Sequence, residues 1–281
     1  MATVLEVLNK TKDFFEKKDI EKPRLNAEWI LAKGLACKRL DLYLRFEEVL
    51  KEEVLAILRE MVKRRGNREP LQYILGEMPF MDLTLKVDKR ALIPRPETEE
   101  LLAKILQFSK DVNFKKILDL GTGTGALALA LAYYCKDLTV VAIDKSEEAL
   151  ALAKENAIKN KLHERITFLQ SDWFSQVEGK FDWIISNPPY LTEEEWLAAA
   201  PEVREFEPKE ALVATDQGLE ALKTILSQAP HYLNSSGGVI FETGIAQHEA
   251  LRKMAKDFGY SNTYSWKDLS GRERFFAAIY S

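Results

Sequence analysis

Cysteine and histidine are scarce in this 281-residue chain, which has only Cys37 and Cys135 and only His163, His231 and His248. Both cysteines fall in helix-like contexts, so two buried, reduced thiols of a cytosolic protein are expected. The histidines share no ligand spacing, and a metal site has no support. Long apolar runs are missing too. Residues 1–22 alternate apolar and charged residues at helical spacing, without the uninterrupted core of a signal peptide. The most apolar stretch, GALALALAYYC, is too short to cross a bilayer. Positive charge is not in excess: 40 Lys and Arg stand against 44 Asp and Glu, a net charge of -4. Nothing therefore draws the chain generally onto a nucleic-acid backbone. Lys63, Arg64 and Arg65 form a short basic run, read as a solvated helix end. No Walker lysine follows the glycines and no G-x-S-x-G elbow occurs, which disfavours triphosphate hydrolysis and serine-hydrolase chemistry. Repeats and low-complexity tracts are absent. A soluble, cytoplasmic protein with no membrane partner is expected.

What is present is an ordinary globular composition, 46% hydrophobic and 30% charged, long enough for a large domain with a smaller companion. Residues 1–75 read as helices only. Val4, Leu5, Leu8, Phe14 and Phe15 mark one apolar face. Leu25, Ala27, Trp29, Ile30 and Leu31 mark a second, and Val54, Leu55, Ile57, Leu58 and Met61 a third. With no phosphate loop or paired acids, this segment is a small bundle that packs or docks. Residues 76–92 then read as a hairpin linker, because Leu83, Leu85 and Val87 alternate on one side of a strand. Pro94 and Pro96 stiffen a loop, and Glu97 or Thr98 starts the next helix. Over 93–281, short buried strands (KKILDL, LTVVAID, ITFLQ, FDWIIS, GGVIFE, ERFFAAIY) alternate with helices, one of them capped by Ser146. That alternation predicts an α/β fold with a mostly parallel sheet covered on both faces.

Gly121, Gly123 and Gly125 of LDLGTGTGALALA lie between a strand and a helix, where glycine lets the backbone turn sharply and approach a ligand. Gly121, Gly123 and Ala126 also fit the G-x-G-x-x-A dinucleotide pattern, so the loop specifies a nucleoside-containing cofactor and no more. Asp144 ends the next strand, where a carboxylate can accept hydrogen bonds from ribose hydroxyls. Asp172 and Trp173 sit beyond the third strand, where an acid beside an aromatic can pair with an adenine amino group and cover its ring.

The fourth strand leaves the sheet through Asn187-Pro188-Pro189-Tyr190. The Asn187 side-chain oxygen and the Pro188 carbonyl can each accept one N–H of a planar –NH2 group. The prolines hold these acceptors rigid and add no competing donor. Tyr190 can lie flat against the planar group. An amide nitrogen is a poor nucleophile, and its attack on an electrophilic methyl builds positive charge that two aimed acceptors stabilise.

A G-x-G-x-G loop after strand one with Asn-Pro-Pro-Tyr after strand four resembles the S-adenosylmethionine-dependent amino methyltransferases. Further stretches resemble the HemK/PrmC family, protein-glutamine N5-methyltransferases of peptide chain release factors: PLQYILGEMPFMDLTLKV, LIPRPETEELL, EPKEALVATDQGLEALKTI, FETG and DLSGRERF. The likeness runs over essentially the whole chain. It implies a class I, Rossmann-like, seven-stranded sheet and S-adenosyl-L-methionine as cofactor. By resemblance, Gly121, Thr122, Gly123, Thr124 and Gly125 cradle the methionine part, Asp144 holds the ribose, and Asp172 and Trp173 flank the adenine. Pro94 and Arg95 line the cofactor entrance. Asn187, Pro188, Pro189 and Tyr190 bind the glutamine amide of a release factor's Gly-Gly-Gln tip, with Asn187, Pro188 and Tyr190 catalytic and Asn187 also against the cofactor. Residues 1–75 dock the release factor, and a monomer without direct nucleic-acid contact is implied. Gln217 stands where many members run Asp-Gly directly, which leaves that loop's shape open. A nucleic-acid amino methyltransferase and a ribosomal-protein glutamine methyltransferase are the alternatives. A nicotinamide dehydrogenase leaves Asn187 to Tyr190 unexplained.

Overall fold

Thr3 opens the first helix with a reciprocal cap: its hydroxyl accepts from the Glu6 N–H, and the Glu6 carboxylate accepts from the Thr3 N–H. In the computed structural model, which describes residues 2–112 and 114–280, this helix is α1 (Val4–Lys17). It is followed by α2 (Pro23–Gly34), a 3₁₀ turn (Arg39–Leu44), α3 (Glu52–Gly66) and α4 (Leu71–Leu75). Residues 1–77 and 200–206 form one compact unit, and 78–199 with 207–281 form the other.

The helical unit closes on Val4, Leu8, Phe15, Ile30, Leu31, Leu58 and Ile74. Not every residue on the expected apolar faces is inside, since Leu25, Trp29 and Ile57 are exposed. The basic run is not simply a solvated helix end. Arg65 is buried because three acceptors surround its guanidinium: Asn26 Oδ1 at 2.8 Å, the Glu69 carbonyl at 3.1 Å and Glu202 Oε1 at 2.9 Å. A buried charge is tolerable when paired and hydrogen-bonded in this way. Cys37 and Cys135 are both free thiols, but each is half-buried at a helix end rather than buried.

The second unit begins at Met78, within the hairpin of β1 (Glu77–Phe80) and β2 (Leu83–Lys86), and Leu83, Leu85 and Val87 are buried as their alternation predicted. Helix α5 (Pro96–Phe108) starts at Pro96, before the expected Glu97 or Thr98, because proline's fixed φ suits the first helical position. Then come β3 (Lys116–Leu120), α6 (Ala126–Tyr134), β4 (Thr139–Asp144), α7 (Glu147–Lys159), β5 (Ile166–Gln170) and β6 (Phe181–Ser186). After β6 follow α8 (Glu193–Ala198), α9 (Pro201–Phe206), a distorted turn α10 (Thr215–Gly218) and α11 (Glu220–Gln228). The chain ends with β7 (Leu233–Glu242), α12 (His248–Asp257), β8 (Tyr260–Lys267) and β9 (Glu273–Tyr280).

The seven strands lie in the order β5-β4-β3-β6-β7-β9-β8. All pairs are parallel except those of β9 with β7 and β8. Successive residues feed opposite faces. Ile117, Trp183, Ile185 and Ile240 join one core, while Leu118, Leu120, Ile184 and Phe241 join the other. Burial on both faces explains why these strands read as continuous apolar runs. Ser146 caps α7 through the Ala149 N–H, as expected. Among the described residues no helix is long and apolar enough to cross a membrane, and no His, Cys, Asp and Glu cluster could hold a metal ion.

Asn156 of α7 and Asn160, which caps its C-terminus one turn on, bind the hairpin as another strand would. Asn160 accepts from the Thr84 N–H at 3.3 Å and donates to the Thr84 carbonyl at 3.0 Å. Asn156, fully buried, does the same at Lys86, at 2.6 and 3.0 Å, and donates also to the Thr124 carbonyl at 2.9 Å. The glycine loop and the hairpin therefore share one side chain. Asn156→Leu strands the Lys86 N–H and two carbonyls, that of Thr124 buried, and should lower the unfolding free energy by about 2–4 kcal/mol in a urea titration.

Candidate active site

The carboxyl ends of β3, β4 and β6 open on a cavity of about 600 Å³, the location where open parallel sheets bind ligands. Gly121 to Thr124, Asp144, Asp172, Trp173, Asn187, Pro188 and Pro189 all line it, and so does Pro94. Three predicted residues do not. Arg95 turns its guanidinium to Glu207 at 2.6 Å. Gly125 packs helix against helix: a Cβ there would sit 3.2 Å from the Ala153 Cβ, on a backbone with φ +83°. Tyr190 packs beside the second core.

Two acids shape the glycine loop. Asp144 Oδ2 accepts from the Gly123 N–H and Oδ1 from the Ser146 N–H, both at 2.9 Å. Burial holds the Asp144 carboxyl above its ordinary range, against the pull of those two donors. Asp119 is inside β3, 1% exposed, and accepts from the Thr122 hydroxyl at 2.7 Å. Burial pushes its carboxyl up to about 7. A Cβ on Gly121 (φ +69°) would meet no atom within 4 Å, so the cavity has open room beside that backbone. Trp173 sits at φ +47°, costly for a large side chain. Its carbonyl is held by the Ser171 hydroxyl at 2.7 Å, which also accepts from the Gln176 N–H.

At the end of β6, the Asn187 Nδ2 donates to the Thr98 hydroxyl at 3.1 Å. Thr98 in turn donates to Glu242 Oε2 at 2.9 Å, and Tyr190 donates to Glu242 Oε1 at 2.8 Å. Arg274 donates to the Tyr190 hydroxyl at 3.0 Å. Among the described residues, no N–H donates to the Pro188 carbonyl. The Tyr190 carbonyl accepts from Gln247 at 3.1 Å, and Gly218 lies so close to it that a Cβ would stand 2.1 Å away. The loop that Gln217 left open in shape is thus a left-handed run, with φ of +52°, +55° and +78° at Asp216, Gln217 and Gly218. Gln247 also reaches the Gln217 carbonyl, at 3.4 Å.

Asp119, Thr98, Glu207, Glu242 and Arg274 were not singled out as site residues from the sequence. Asp119 carried one signal, a charge in the middle of an apolar strand. Glu207, buried, accepts from the Ile93 N–H and from Arg95, and so fixes the loop leading to Pro94. The other three are brought together only by the fold.

A mostly parallel sheet with this order and a glycine-loop cavity at its switch point define a class I methyltransferase. The Methyltransferase small domain family matches residues 97–203, and the PrmC N-terminal domain family matches residues 6–76. The release factor glutamine methyltransferase of Rhodopirellula baltica is 39% identical, covering 97% of this chain and 94% of its own. Those of Geobacter sulfurreducens and Vibrio cholerae are 37% and 39% identical, each covering 97% of this chain and 95% of its own. The chain belongs to the release factor glutamine methyltransferase family. Among solved structures, the hMettl16 catalytic domain aligns with TM-score 0.59 and 17% identity, over 79% of this chain and 82% of its own. A Pyrococcus furiosus methyltransferase aligns with TM-score 0.54 and 19% identity, over 71% and 89%. These two likenesses bear on the fold alone.

Asp119 gives the folded chain a pH signature. In the folded chain burial holds its carboxyl up to about 7, against 3.8 for a free aspartate. The unfolded chain therefore releases this proton first as the pH rises. The residue's contribution to stability falls between about pH 4 and pH 7 and is level above that window. Asp119→Asn should remove that decline, as read from denaturant midpoints across the window.

Proposed function

We propose that this enzyme methylates the side-chain amide nitrogen of the glutamine in the Gly-Gly-Gln tip of peptide chain release factors, using S-adenosyl-L-methionine. The observation that carries this reading is the polarity of the cavity wall at Asn187. Its –NH2 is committed to Thr98, so its Oδ1 remains to accept a substrate N–H. The neighbouring Pro188 carbonyl is a second, rigid acceptor. Two acceptors side by side suit an –NH2 on an sp2 carbon and suit a hydroxyl or a carboxylate poorly.

The cavity has the parts the cofactor requires. Open room beside Gly121 admits the amino-acid portion. The Asp144 carboxylate, braced by two backbone N–H groups, retains lone pairs for ribose hydroxyls. Asp172 and Trp173 on the same wall suit an adenine. When bound, S-adenosylmethionine supplies an electrophilic methyl group. Asn187 Oδ1 and the Pro188 carbonyl hold the substrate nitrogen by its two protons, which aligns its lone pair with the acceptor carbon. The same oxygens stabilise the positive charge that develops on that nitrogen. Tyr190, packed beside the second core with its hydroxyl fixed by Glu242 and Arg274, stands outside the cavity lining, and its part in this arrangement is to anchor the tetrapeptide that carries Asn187 and Pro188.

The helical unit, matching the PrmC N-terminal domain, is the part we assign to docking the release factor, with residues 76–92 as linker and 93–281 as the transferase domain. A net charge of -4 favours a protein substrate over direct nucleic-acid contact.

The test is mass spectrometry of purified release factor after incubation with enzyme and S-adenosylmethionine. One added methyl group on the Gly-Gly-Gln glutamine is expected, and an unmodified tip would overturn the reading. Asn187→Ala should lower turnover by about 100-fold or more while changing cofactor affinity by no more than about threefold, which calorimetry with S-adenosylmethionine can check.

A further inference from the structure

Glu242 lies at the end of β7, fully buried and not itself among the residues that line the cavity; it reaches that lining only through Thr98. A buried carboxylate away from the chemistry needs a reason, because its desolvation is costly. Its partners supply one. A carboxylate can only accept hydrogen bonds, and a guanidinium can only donate them. At one end Arg274 donates to the Tyr190 hydroxyl, whose own proton must then go to Glu242 Oε1. At the other end Glu242 Oε2 takes the single proton of Thr98, so the Thr98 oxygen can only accept from Asn187. With Glu242 ionised, which the Arg274 guanidinium 3.7 Å from its Oε1 favours against the cost of burial, every proton along the chain from Arg274 through Tyr190, Glu242 and Thr98 to Asn187 is thereby assigned. The consequence reaches the cavity. An asparagine amide presents either oxygen or –NH2 with nearly the same shape, and only its partners decide which.

From this we infer that Glu242 is a positioning residue for methyl transfer: through Thr98 it sets the sense of the Asn187 amide, so that oxygen and not –NH2 faces the substrate. The inference rests on the glutamine-amide reading above and adds a residue that never touches substrate or cofactor. Reversal of the Asn187 amide would set –NH2 against –NH2, replacing an attraction with a repulsion at the reacting nitrogen.

The isosteric change Glu242→Gln tests this. Tyr190, still receiving a proton from Arg274, must donate to the new amide oxygen. The new –NH2 then points at Thr98 and displaces the Thr98 proton toward Asn187, whose amide flips to give that proton an acceptor. Turnover should fall about 100-fold, the scale for losing one preorganised hydrogen bond to a developing charge. Cofactor affinity should stay within about threefold in calorimetry, because the groups assigned to its amino-acid, ribose and adenine portions, Gly121, Asp144, Asp172 and Trp173, are unchanged. The diagnostic step is a second substitution, Asn187→Asp, in the Glu242→Gln background. A carboxylate has no sense to reverse, so it accepts from Thr98 and from substrate at once. The double variant should recover at least about tenfold over Glu242→Gln alone, a coupling that two independent lesions would not show. Thr98→Ser, which keeps the hydroxyl, should retain far more turnover than Thr98→Val, which does not.

Turnover within about threefold of wild type in Glu242→Gln would overturn the inference. So would a loss shared with cofactor affinity and melting temperature, and unrescued by Asn187→Asp, since that is the mark of a purely structural carboxylate. The wild-type enzyme in the same assay separates the two proposals. If it leaves release factor unmethylated, the substrate reading fails. If it is active and the variants behave as just described, only the role of Glu242 fails.

Discussion

β3 is paired in parallel on both of its edges, to β4 on one side and β6 on the other, and the site follows from that constraint. Parallel neighbours end on the same side of a sheet. The glycine loop after Leu120, the acid at Asp144 and the tetrapeptide after Ser186 therefore emerge together, although the chain separates them widely. Continuous apolar burial on both faces makes the three strand ends rigid relative to one another. A cavity whose walls are fixed in this way needs little reorganisation when charge develops within it.

The same dry interior makes each polar group inside it consequential. Asp119, Asn156 and Glu242 are buried in one unit and Glu28 and Arg65 in the other. Each is matched to partners of opposite hydrogen-bonding character. Glu28 accepts from Arg24, Arg39 and Tyr43, and Arg65 donates to three acceptors. A low-dielectric setting penalises any unmatched member heavily, so such networks admit few arrangements. Around Asn187 that selectivity becomes functional, since the orientation of a single amide decides whether the wall attracts or repels its substrate.

The elements legible in the sequence were those whose chemistry is written in contiguous residues. The glycine loop, Ser146 as a cap, the alternation of β2 and the Asn187 to Tyr190 tetrapeptide each sit within a few positions. Gly125 was legible as part of the loop, but its close approach to Ala153 depends on how two helices meet. Tyr190 shows the same limit: the motif fixes where its backbone leaves β6, while Glu242 and Arg274, from β7 and β9, hold its hydroxyl. Thr98, Glu242 and Arg274 carried no local signal, because their meaning lies in pairs separated by 52 to 144 positions. Arg65 was misread for that reason as well, since Asn26 and Glu202 are remote in the chain. Periodicity found the helices of residues 1–75, but could not distinguish Trp29, exposed, from Ile30, buried.

The asparagine pair at the C-terminal end of α7 has a further effect. A two-stranded ribbon offers its outer backbone groups to any extended peptide that comes by, and such open edges promote self-association. Asn156 and Asn160 occupy the N–H and C=O groups of Lys86 and Thr84, so that side of β2 is already taken. A helix has sealed a sheet margin against intruding strands, leaving the hairpin unable to recruit a neighbouring molecule along that border.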